Sequence, residues 1–158
     1  PWKFVVVRQK NAELAKLAYG ANYDQVMEAP VTIALFTDTD LQKRARKIAR
    51  VGGVKNFTDE QLQYFMQNLP AEFARYDAQQ TSDYLALNAG LVAMNLVLAL
   101  TDQGIGTNII LGFDKSKINE VLDIEERFRP EVLITVGYAA EKVEPSYRLP
   151  VDEIIDKR

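Results

Sequence analysis

The segment TSDYLALNAGLVAMNLVLALTDQG, residues 81–104, constrains the architecture more than any other part of the chain. Thr81 or Ser82 is suited to begin a helix there, and Gly104 is suited to end it. Between residues 85 and 100 this helix is apolar on every face, apart from two asparagines spaced by seven. A helix that is apolar all round must be covered on all sides, and a domain this small can rarely enclose one completely. We therefore expect part of its surface to meet a second subunit. Four small residues would permit close approach there: Ala86, Ala89, Gly90 and Ala93.

The composition restricts the chemistry. The 158 residues suit one domain, and 47% apolar against 26% charged residues indicates a globular protein. The net charge of −3 gives no overall positive field to hold a nucleic acid, so nucleic-acid binding is disfavoured. Cysteine and histidine are both absent, which excludes disulfides, thiolate nucleophiles, Ser-His-Asp catalysis and metal sites built from these residues. Catalysis would depend on carboxylates, lysine, tyrosine or a bound cofactor, and we expect no metal site.

The apolar part of the long helix is shorter than the ~20 residues that a bilayer span requires. No secretory signal is visible. We therefore expect a cytoplasmic protein that contacts no membrane. A strand pattern begins directly after Pro1, so we also expect a segment that precedes the given sequence.

Around the long helix, β-branched and apolar runs predict three buried strands, at residues 2–7, 31–36 and 132–138, with a short extended piece at 108–111. Asn11 is expected to cap a helix that ends at Gly20. Residues 40–80 lack a strand pattern and predict a helical excursion between two parts of one domain, and residues 139–158 form an extended tail. This order predicts a single α+β domain over residues 1–158. Its architecture would be a three-layer α/β/α sandwich, with a small mixed, mostly antiparallel sheet flanked by helices.

The segment GIGTNIILGF, residues 104–113, is the most informative for function. It is not a dinucleotide fingerprint, because Ile109 stands where the third glycine is required, and it lacks the lysine of a P-loop. One interpretation is only a helix C-cap at Gly104 followed by a turn. The other is that Gly112 lets the backbone approach a flat ligand, with the N–H groups of Leu111 and Gly112 as donors.

Two groups in the excursion have alternative interpretations. Four cations at helical spacing share one helix face: Lys43, Arg46, Lys47 and Arg50. They lie three, four and seven positions after the first. This face is either solvated or captures an anionic cosubstrate or a nucleic-acid backbone. Thr58 and Gln61 fit a helix capping box. Aromatic residues in and just after the excursion either pack in the core or form a mobile lid over a planar substrate: Tyr64, Phe65, Phe73, Tyr76 and Tyr84.

Several other candidates are unremarkable in isolation. Pro1-Trp2 is a common strand start, residues 22–25 suit a loop of turn formers, and Arg148 suits an exposed tail. Four acidic residues flank a proline turn and favour a solvated loop over a pair of catalytic carboxylates: Asp123, Glu125, Glu126 and Glu131.

The order of these features resembles the nitroreductase family of FMN-dependent oxidoreductases over essentially the whole chain. The features that carry the resemblance are Pro1-Trp2 before a valine-rich strand, Ala29-Pro30 before a second strand, the asparagine-bearing apolar helix, Gly104-x-Gly106-Thr107 with Gly112-Phe113, Val136-Gly137-Tyr138, and Arg148-Leu149-Pro150.

This resemblance implies an FMN site. By position, Asn22 and Gln25 would face the pyrimidine edge of the flavin, and Leu111 and Gly112 would offer backbone N–H groups to its N5 and O4 side. Arg148 would pair with the FMN phosphate, although Ser146 stands where many relatives have a lysine. The other implied cofactor-binding positions are Pro1, Trp2, Ile109 and Ile110.

The resemblance also implies an intertwined homodimer with flavin at the subunit interface, and Tyr64, Phe65 and Tyr76 as possible lid residues over the substrate. NAD(P)H would deliver hydride to flavin N5 and leave, and a nitroaromatic, a quinone or another flat acceptor would then take the electrons in a ping-pong mechanism. Three alternatives stay open. They are an FMN-binding protein without turnover, a different reaction of the same superfamily, and a module that binds nucleic acid through the basic helix.

Overall fold

A four-stranded sheet organises the chain in the computed structural model, which describes residues 1–52, 57–140 and 147–158. The strands lie in the order β1-β2-β4-β3, and their bounds are β1 Trp2–Val7, β2 Val31–Asp38, β3 Gly106–Ile110 and β4 Phe128–Gly137. The three predicted strands are confirmed, and the predicted extended piece corresponds to the edge strand β3. All three pairings between these strands are antiparallel, so the expectation of a mixed sheet was wrong in that respect.

The sequences of the strands explain their positions in the sheet. β2 and β4 are long apolar runs, and most of their residues are buried whichever face they occupy. Strands covered by helices on both faces have this pattern. Along β1, by contrast, the more exposed residues alternate with the less exposed ones, and β1 lies at an edge of the sheet.

Helices cover both faces of the sheet. In the described residues their bounds are α1 Asn11–Ala15, α2 Asn22–Glu28, α3 Leu41–Gly52, α4 Asp59–Gln63, α5 Leu69–Phe73, α6 Ala78–Asp102 and α7 Ile118–Leu122. On one face, Leu14 of α1 shares a core cluster with Phe36 of β2. On the other face, Ala93 of α6 shares a cluster with Ile134 of β4. The three-layer α/β/α arrangement is confirmed.

The long helix α6 begins one turn earlier than Thr81 or Ser82, because Asp77 caps it. The Asp77 carboxylate accepts a hydrogen bond from the Gln80 backbone N–H at 2.7 Å, and the Gln80 side chain accepts one from the Asp77 N–H at 3.0 Å. This reciprocal pair is a capping box. After the helix, Gly104 adopts a φ of +73°, which fits its predicted role as the terminating glycine.

Within residues 1–52, 57–140 and 147–158, only one side of α6 is covered, although its sequence predicts burial all round. Leu85, Ala89 and Ala93 are buried. Large apolar side chains on its outer side form an exposed apolar stripe: Leu87 (64% exposed), Leu91 (64%), Met94 (48%) and Leu98 (58%). By length and composition, α6 is the one helix in the described residues that could cross a membrane, a criterion that core helices of soluble proteins also meet.

The structure differs from the prediction around α1 and α2. Asn11 does not cap a helix with its side chain, and its Nδ2 instead donates to the Ala29 carbonyl at 2.7 Å. Residues 22–25 form the first turn of α2 rather than a loop. Gly20, with a φ of +57°, lies in the turn between the two helices.

The helical excursion is confirmed for the residues that the structure describes. It contains α3, α4 and α5, with a π-helical turn, Tyr64–Asn68, between the last two. The predicted capping box of Thr58 and Gln61 is present. Of the predicted tail, residues 141–146, including Ser146, lie outside the described residues, and Val151–Glu153 forms one 3-10 turn.

A buried carboxylate ties the start of β4 to β2 and α6. Glu131 is 7% exposed, so the prediction that it belongs to a solvated loop was wrong. Its Oε1 accepts hydrogen bonds from Thr37 Oγ1 at 2.5 Å and from Arg129 Nε at 2.7 Å. The other guanidinium nitrogens of Arg129 donate to the hydroxyl and the carbonyl of Ser82, at 2.8 and 3.1 Å. The first turns of α6 are thereby fixed to the sheet.

Candidate binding site

The segment that follows β3 lies against the turn between α1 and α2. The carbonyl of Gly112 accepts hydrogen bonds from the Tyr19 backbone N–H at 2.9 Å and from Asn22 Nδ2 at 3.2 Å. The next residue, Phe113, forms an antiparallel bridge with Ala18. These contacts fix the backbone at Gly112 relative to the start of α2.

The backbone N–H groups of Leu111 and Gly112 have no hydrogen-bond acceptor in the part of the chain that the structure describes. Both residues lie just beyond Ile110, the last residue of β3 that pairs with β4. Backbone donors need a partner whenever water is displaced from them. Two adjacent free donors at a strand end are therefore suited to bind acceptor atoms of a ligand.

The absence of a side chain at position 112 matters because of the neighbouring Asn22. A Cβ atom added to Gly112 would lie 3.0 Å from Asn22 Nδ2, tighter than nine in ten real Cβ contacts, so the Asn22 amide would have to move by a few tenths of an ångström. The absence of a side chain thus allows the Asn22 amide to reach the Gly112 carbonyl.

Two amide side chains share one face of α2, because Asn22 and Gln25 are three residues apart. Asn22 uses its Nδ2 in the bond to Gly112. Gln25 uses its Oε1, which accepts a hydrogen bond from Nδ2 of Asn108 at 2.5 Å. Their other polar atoms, Asn22 Oδ1 and Gln25 Nε2, have no partner among the described residues. Each atom keeps its hydrogen-bonding capacity, so the helix face presents one acceptor and one donor.

Asn108 is a site residue that the sequence analysis did not single out. It lies on the edge strand β3, 83 positions from Gln25 along the chain, and no local pattern joins the two. Gln25 and Asn108 also line a cleft of about 320 Å³ together with Thr107, Gly137 and Tyr138. We call Asn22, Gln25, Asn108 and the N–H groups of Leu111 and Gly112 the α2–β3 site.

Ile109 and Ile110 contribute to this region differently. The side chain of Ile110 is 1% exposed and packs in the core under α1 and α2, so it is not available to a ligand. Ile109, 41% exposed, points to the opposite face of the sheet, because adjacent residues of a strand alternate. The backbone of both residues leads into the α2–β3 site, and a contact of either with a cofactor stays a prediction.

Pro1 and Trp2 lie at the opposite edge of the sheet. Trp2 is on β1, paired with Thr37, and its Nε1 donates to the carbonyl of Asn88 on α6 at 3.1 Å. β2 and β4 separate β1 from β3, which corresponds to about 14 Å at the usual strand spacing. Within one chain the structure therefore does not bring Pro1 and Trp2 to the α2–β3 site.

Arg148 also has no contact with the α2–β3 site among the described residues. Its Nη1 donates to the carbonyl of the adjacent Tyr147 at 2.8 Å. The residue is exposed, so its guanidinium group is accessible to a ligand.

The candidate lid aromatics belong to two clusters on the excursion, and neither is part of the two core clusters. Phe65 stacks on Phe57 with ring centroids 5.3 Å apart, and Tyr64 meets Phe65 edge-on at 5.4 Å. Tyr76 packs against Phe73 and Tyr84, at 5.6 and 6.0 Å. Tyr64 is 40% exposed and Tyr76 is 38% exposed. A lid role for these residues stays a prediction.

The four cations of α3 have no carboxylate partner within residues 1–52, 57–140 and 147–158. Arg44, on another face of the helix, instead pairs with the buried Asp38 at 2.9 Å. The same described ranges contain no group of three or more carboxylates arranged to hold a metal ion.

The chain is thus a small α+β protein in which an antiparallel sheet lies between two helix layers, with unpaired backbone donors and amide groups at one edge of the sheet. Comparison with known proteins identifies the class. Residues 1–138 match the model of the nitroreductase family. Spy0809 of Streptococcus pyogenes, an NAD(P)H nitroreductase by its name, is 63% identical over 158 residues, which are 100% of this chain and 78% of Spy0809.

Solved structures agree with this match. A nitroreductase family protein from Streptococcus pneumoniae superimposes with a TM-score of 0.97 at 85% identity, covering 100% of this chain and 79% of that one. A protein from Exiguobacterium sibiricum, solved as a nitroreductase in complex with FMN, gives a TM-score of 0.90 at 29% identity, covering 100% of this chain and 77% of that one. The chain belongs to the nitroreductase family, and it is an oxidoreductase.

Proposed function

We propose that this protein binds FMN at the α2–β3 site and uses it to pass electrons from NAD(P)H to nitroaromatic, quinone or similar flat acceptors. The hydrogen-bonding pattern of the site carries the proposal. The edge of an oxidised flavin offers one donor, N3–H, and acceptors at O2, O4, N1 and N5. The groups that Asn22, Gln25, Leu111 and Gly112 leave free are one acceptor, Asn22 Oδ1, and three donors, namely Gln25 Nε2 and the N–H groups of Leu111 and Gly112. These two sets are complementary.

Gly112 supports this fit. Its missing side chain keeps the Asn22 amide bound to the Gly112 carbonyl, so that the acceptor Oδ1 is the atom left for the ligand. When bound, FMN would supply the acceptance and donation of hydride, which none of the side chains of this chain can supply.

The residues of the chain would hold and tune the cofactor. Asn22 would accept from the ring N–H, and Leu111 and Gly112 would donate to the N5 and O4 side. Gln25 would donate to the N1 and O2 edge, where negative charge develops on reduction. A fixed donor aimed at that edge favours the reduced state. Arg148 would pair with the phosphate, since a guanidinium group can bind phosphate oxygens bidentately.

A second copy of the chain would complete the protein. The apolar stripe of α6 (Leu87, Leu91, Met94 and Leu98) leaves four large side chains in water, and exposed patches of this kind mark interfaces. A homodimer that covers this stripe and has FMN at the interface would also explain how Pro1 and Trp2, about 14 Å from β3 within one chain, could take part in cofactor binding. A cytoplasmic location, no contact with membranes or nucleic acid, and the lid role of Tyr64, Phe65 and Tyr76 belong to the same proposal.

Two measurements on the full-length protein test the proposal. The visible spectrum should show bound flavin, and heat should release FMN. Steady NAD(P)H oxidation should then require an added quinone or nitroaromatic acceptor. A flavin-bound protein that oxidises no NAD(P)H with any acceptor would be a binding protein without turnover. A colourless protein that takes up no added FMN would overturn the proposal altogether.

A further inference from the structure

We infer that the side chain of Leu111 forms an apolar wall of the subsite that takes the electron acceptor. It makes the site prefer flat acceptors with an apolar substituent over flat acceptors that carry a charge. The inference rests on the proposed FMN site. It concerns the side chain of Leu111, whereas FMN binding uses its backbone N–H.

The side chain of Leu111 is exposed although its backbone is held on both sides. It is 66% exposed, more than any other leucine in the part of the chain that the structure describes. Ile110, directly before it, pairs with Leu133 and is buried, and Phe113, two positions later, is buried as well. The Phe113 N–H donates to the Leu111 carbonyl at 3.2 Å. A fixed backbone thus presents a large apolar side chain to solvent, which suits contact with an apolar ligand.

The covalent structure of Leu111 places this side chain beside the reacting atom. Its N–H is one of the two free donors that would bind the N5 side of the flavin. The Cβ atom is two bonds from that nitrogen, so a hydrogen bond of ordinary length leaves it within about 5.5 Å of N5. An acceptor that takes hydride from N5 must itself approach to about 3–3.5 Å. Leu111 and the acceptor are therefore neighbours.

An apolar neighbour discriminates between acceptors by their hydration. Each carbon atom of an acceptor that packs against Leu111 leaves water, which stabilises the complex. A charged group at the same place would lose water and gain no partner from the leucine side chain, which weakens binding. The side chain therefore favours acceptors such as alkylated quinones over sulfonated or carboxylated ones.

Three substitutions separate the apolar contact of Leu111 from its backbone donor. Leu111→Asn keeps the approximate size and removes the apolar character, Leu111→Ala removes most of the side chain, and Leu111→Met keeps a similar apolar area. All three retain the backbone N–H, so FMN affinity should stay within about threefold of the wild-type value. Because Leu111 is exposed, the variants are expected to fold, and their thermal unfolding is measured alongside.

Met27→Ala is the matched control. Met27 is 43% exposed, so its truncation also removes a large apolar side chain from the surface. By helical spacing it lies on the side of α2 opposite to Asn22 and Gln25. Its loss should therefore not affect the acceptor subsite.

The first readout is equilibrium binding of two redox-inert probes to the oxidised, FMN-saturated protein, followed by flavin absorbance. The probes are 2-methylnaphthalene and naphthalene-2-sulfonate, which share one flat ring system and differ in charge. The wild type should bind 2-methylnaphthalene more tightly. Leu111→Asn and Leu111→Ala should each raise the Kd of this probe by about four- to tenfold, the loss of about half the contribution of a buried leucine. The Kd of naphthalene-2-sulfonate should change by less than about twofold, and Leu111→Met and Met27→Ala should leave both values within about twofold of wild type.

Turnover provides the second readout. NAD(P)H and one proton reduce 2-methyl-1,4-naphthoquinone to the hydroquinone and leave NAD(P)+, a transfer of two electrons. Leu111→Asn should raise the KM for this quinone by the same factor as the Kd of 2-methylnaphthalene, and the effect should lie mainly in KM, because the apolar contact is present before and during the transfer.

The outcomes separate the inference from the proposed function. If the wild-type protein binds no FMN, the proposed function fails and the inference fails with it. If it binds FMN and Leu111→Asn leaves the Kd of 2-methylnaphthalene unchanged, only the role of Leu111 is overturned. Equal weakening of both probes also overturns that role, since the effect would then not depend on apolar character. Tighter binding of naphthalene-2-sulfonate than of 2-methylnaphthalene by the wild type would overturn the stated preference.

Discussion

Gly112→Ala is a small substitution whose effect follows directly from the geometry of the site. The new Cβ would lie 3.0 Å from Asn22 Nδ2, whereas ordinary contacts begin at 3.4 Å, so the Asn22 amide must retreat by about 0.4 Å. The bond from Asn22 Nδ2 to the Gly112 carbonyl is already 3.2 Å long. A retreat of this size lengthens the bond to at most about 3.6 Å, and a bond of that length is outside the range of a hydrogen bond.

The expected loss of folding free energy is that of one neutral hydrogen bond, about 1 kcal/mol. For a protein of this size such a loss lowers Tm by about 2–4 °C. Because Asn22 also loses the contact that orients its Oδ1, FMN affinity should fall by about five- to tenfold, in line with a further ~1 kcal/mol at the ligand. Thermal unfolding without FMN and titration with FMN measure the two effects separately.

A double-mutant cycle provides the control for this prediction. In an Asn22→Ala background the added Cβ meets no atom closer than 3.9 Å, the distance to Tyr19 Cδ2. Gly112→Ala should therefore cost much less stability in that background than in the wild type. Equal costs in both backgrounds would refute the argument, because the effect would then arise from the backbone and not from the Asn22 contact.

Three further predictions concern other parts of the molecule. Arg148→Ala should weaken FMN binding by about 10- to 100-fold, because it removes one charge-assisted interaction of ~1.5–3 kcal/mol. An unchanged affinity in an FMN titration would remove Arg148 from the phosphate site. Leu91→Asp places a charge in the apolar stripe and should raise the Kd of the dimer, measured by sedimentation, by at least about 100-fold. The reason is that a buried leucine contributes ~1.5–3 kcal/mol on each side of a symmetric interface. Gln79→Asp, in the first turn of the same helix, is the control and should leave the dimer intact. Arg129→Met leaves the Glu131 carboxylate buried with Thr37 as its remaining partner. Urea unfolding should show a free energy of unfolding lower by roughly 1–3 kcal/mol. A change below about 0.5 kcal/mol, the scale of an ordinary surface substitution, would contradict a structural role for this pair.

The sequence predicted the main elements because their signals are local. β-branched runs marked the three buried strands, and the pair Thr58 and Gln61 marked a helix start that the structure reproduces. The start of α6 was misplaced because Asp77, three residues before Gln80, forms an equivalent box one turn before the apolar run begins. Where two capping signals lie in succession, local sequence does not decide between them.

The site was predictable only in part, because it is assembled from distant segments. Gly112 was chosen from the glycine-containing segment 104–113 and Asn22 through the family resemblance, and the structure joins them by a hydrogen bond across 90 positions. Asn108 gave no signal, since a polar residue on a short edge strand is ordinary. The distance of Trp2 from this site follows from the strand order β1-β2-β4-β3, which no local pattern specifies.

The most direct test of the central claim is a calorimetric titration of FMN into the full-length protein and into an Asn22→Leu, Gln25→Leu double variant. Leucine keeps the approximate size of both side chains and removes the acceptor and the donor that α2 presents. The account predicts one FMN bound per wild-type chain and binding about 30-fold weaker in the variant, from the loss of two neutral hydrogen bonds of about 1 kcal/mol each. Equal affinity in the two proteins would show that the flavin does not bind at the α2–β3 site.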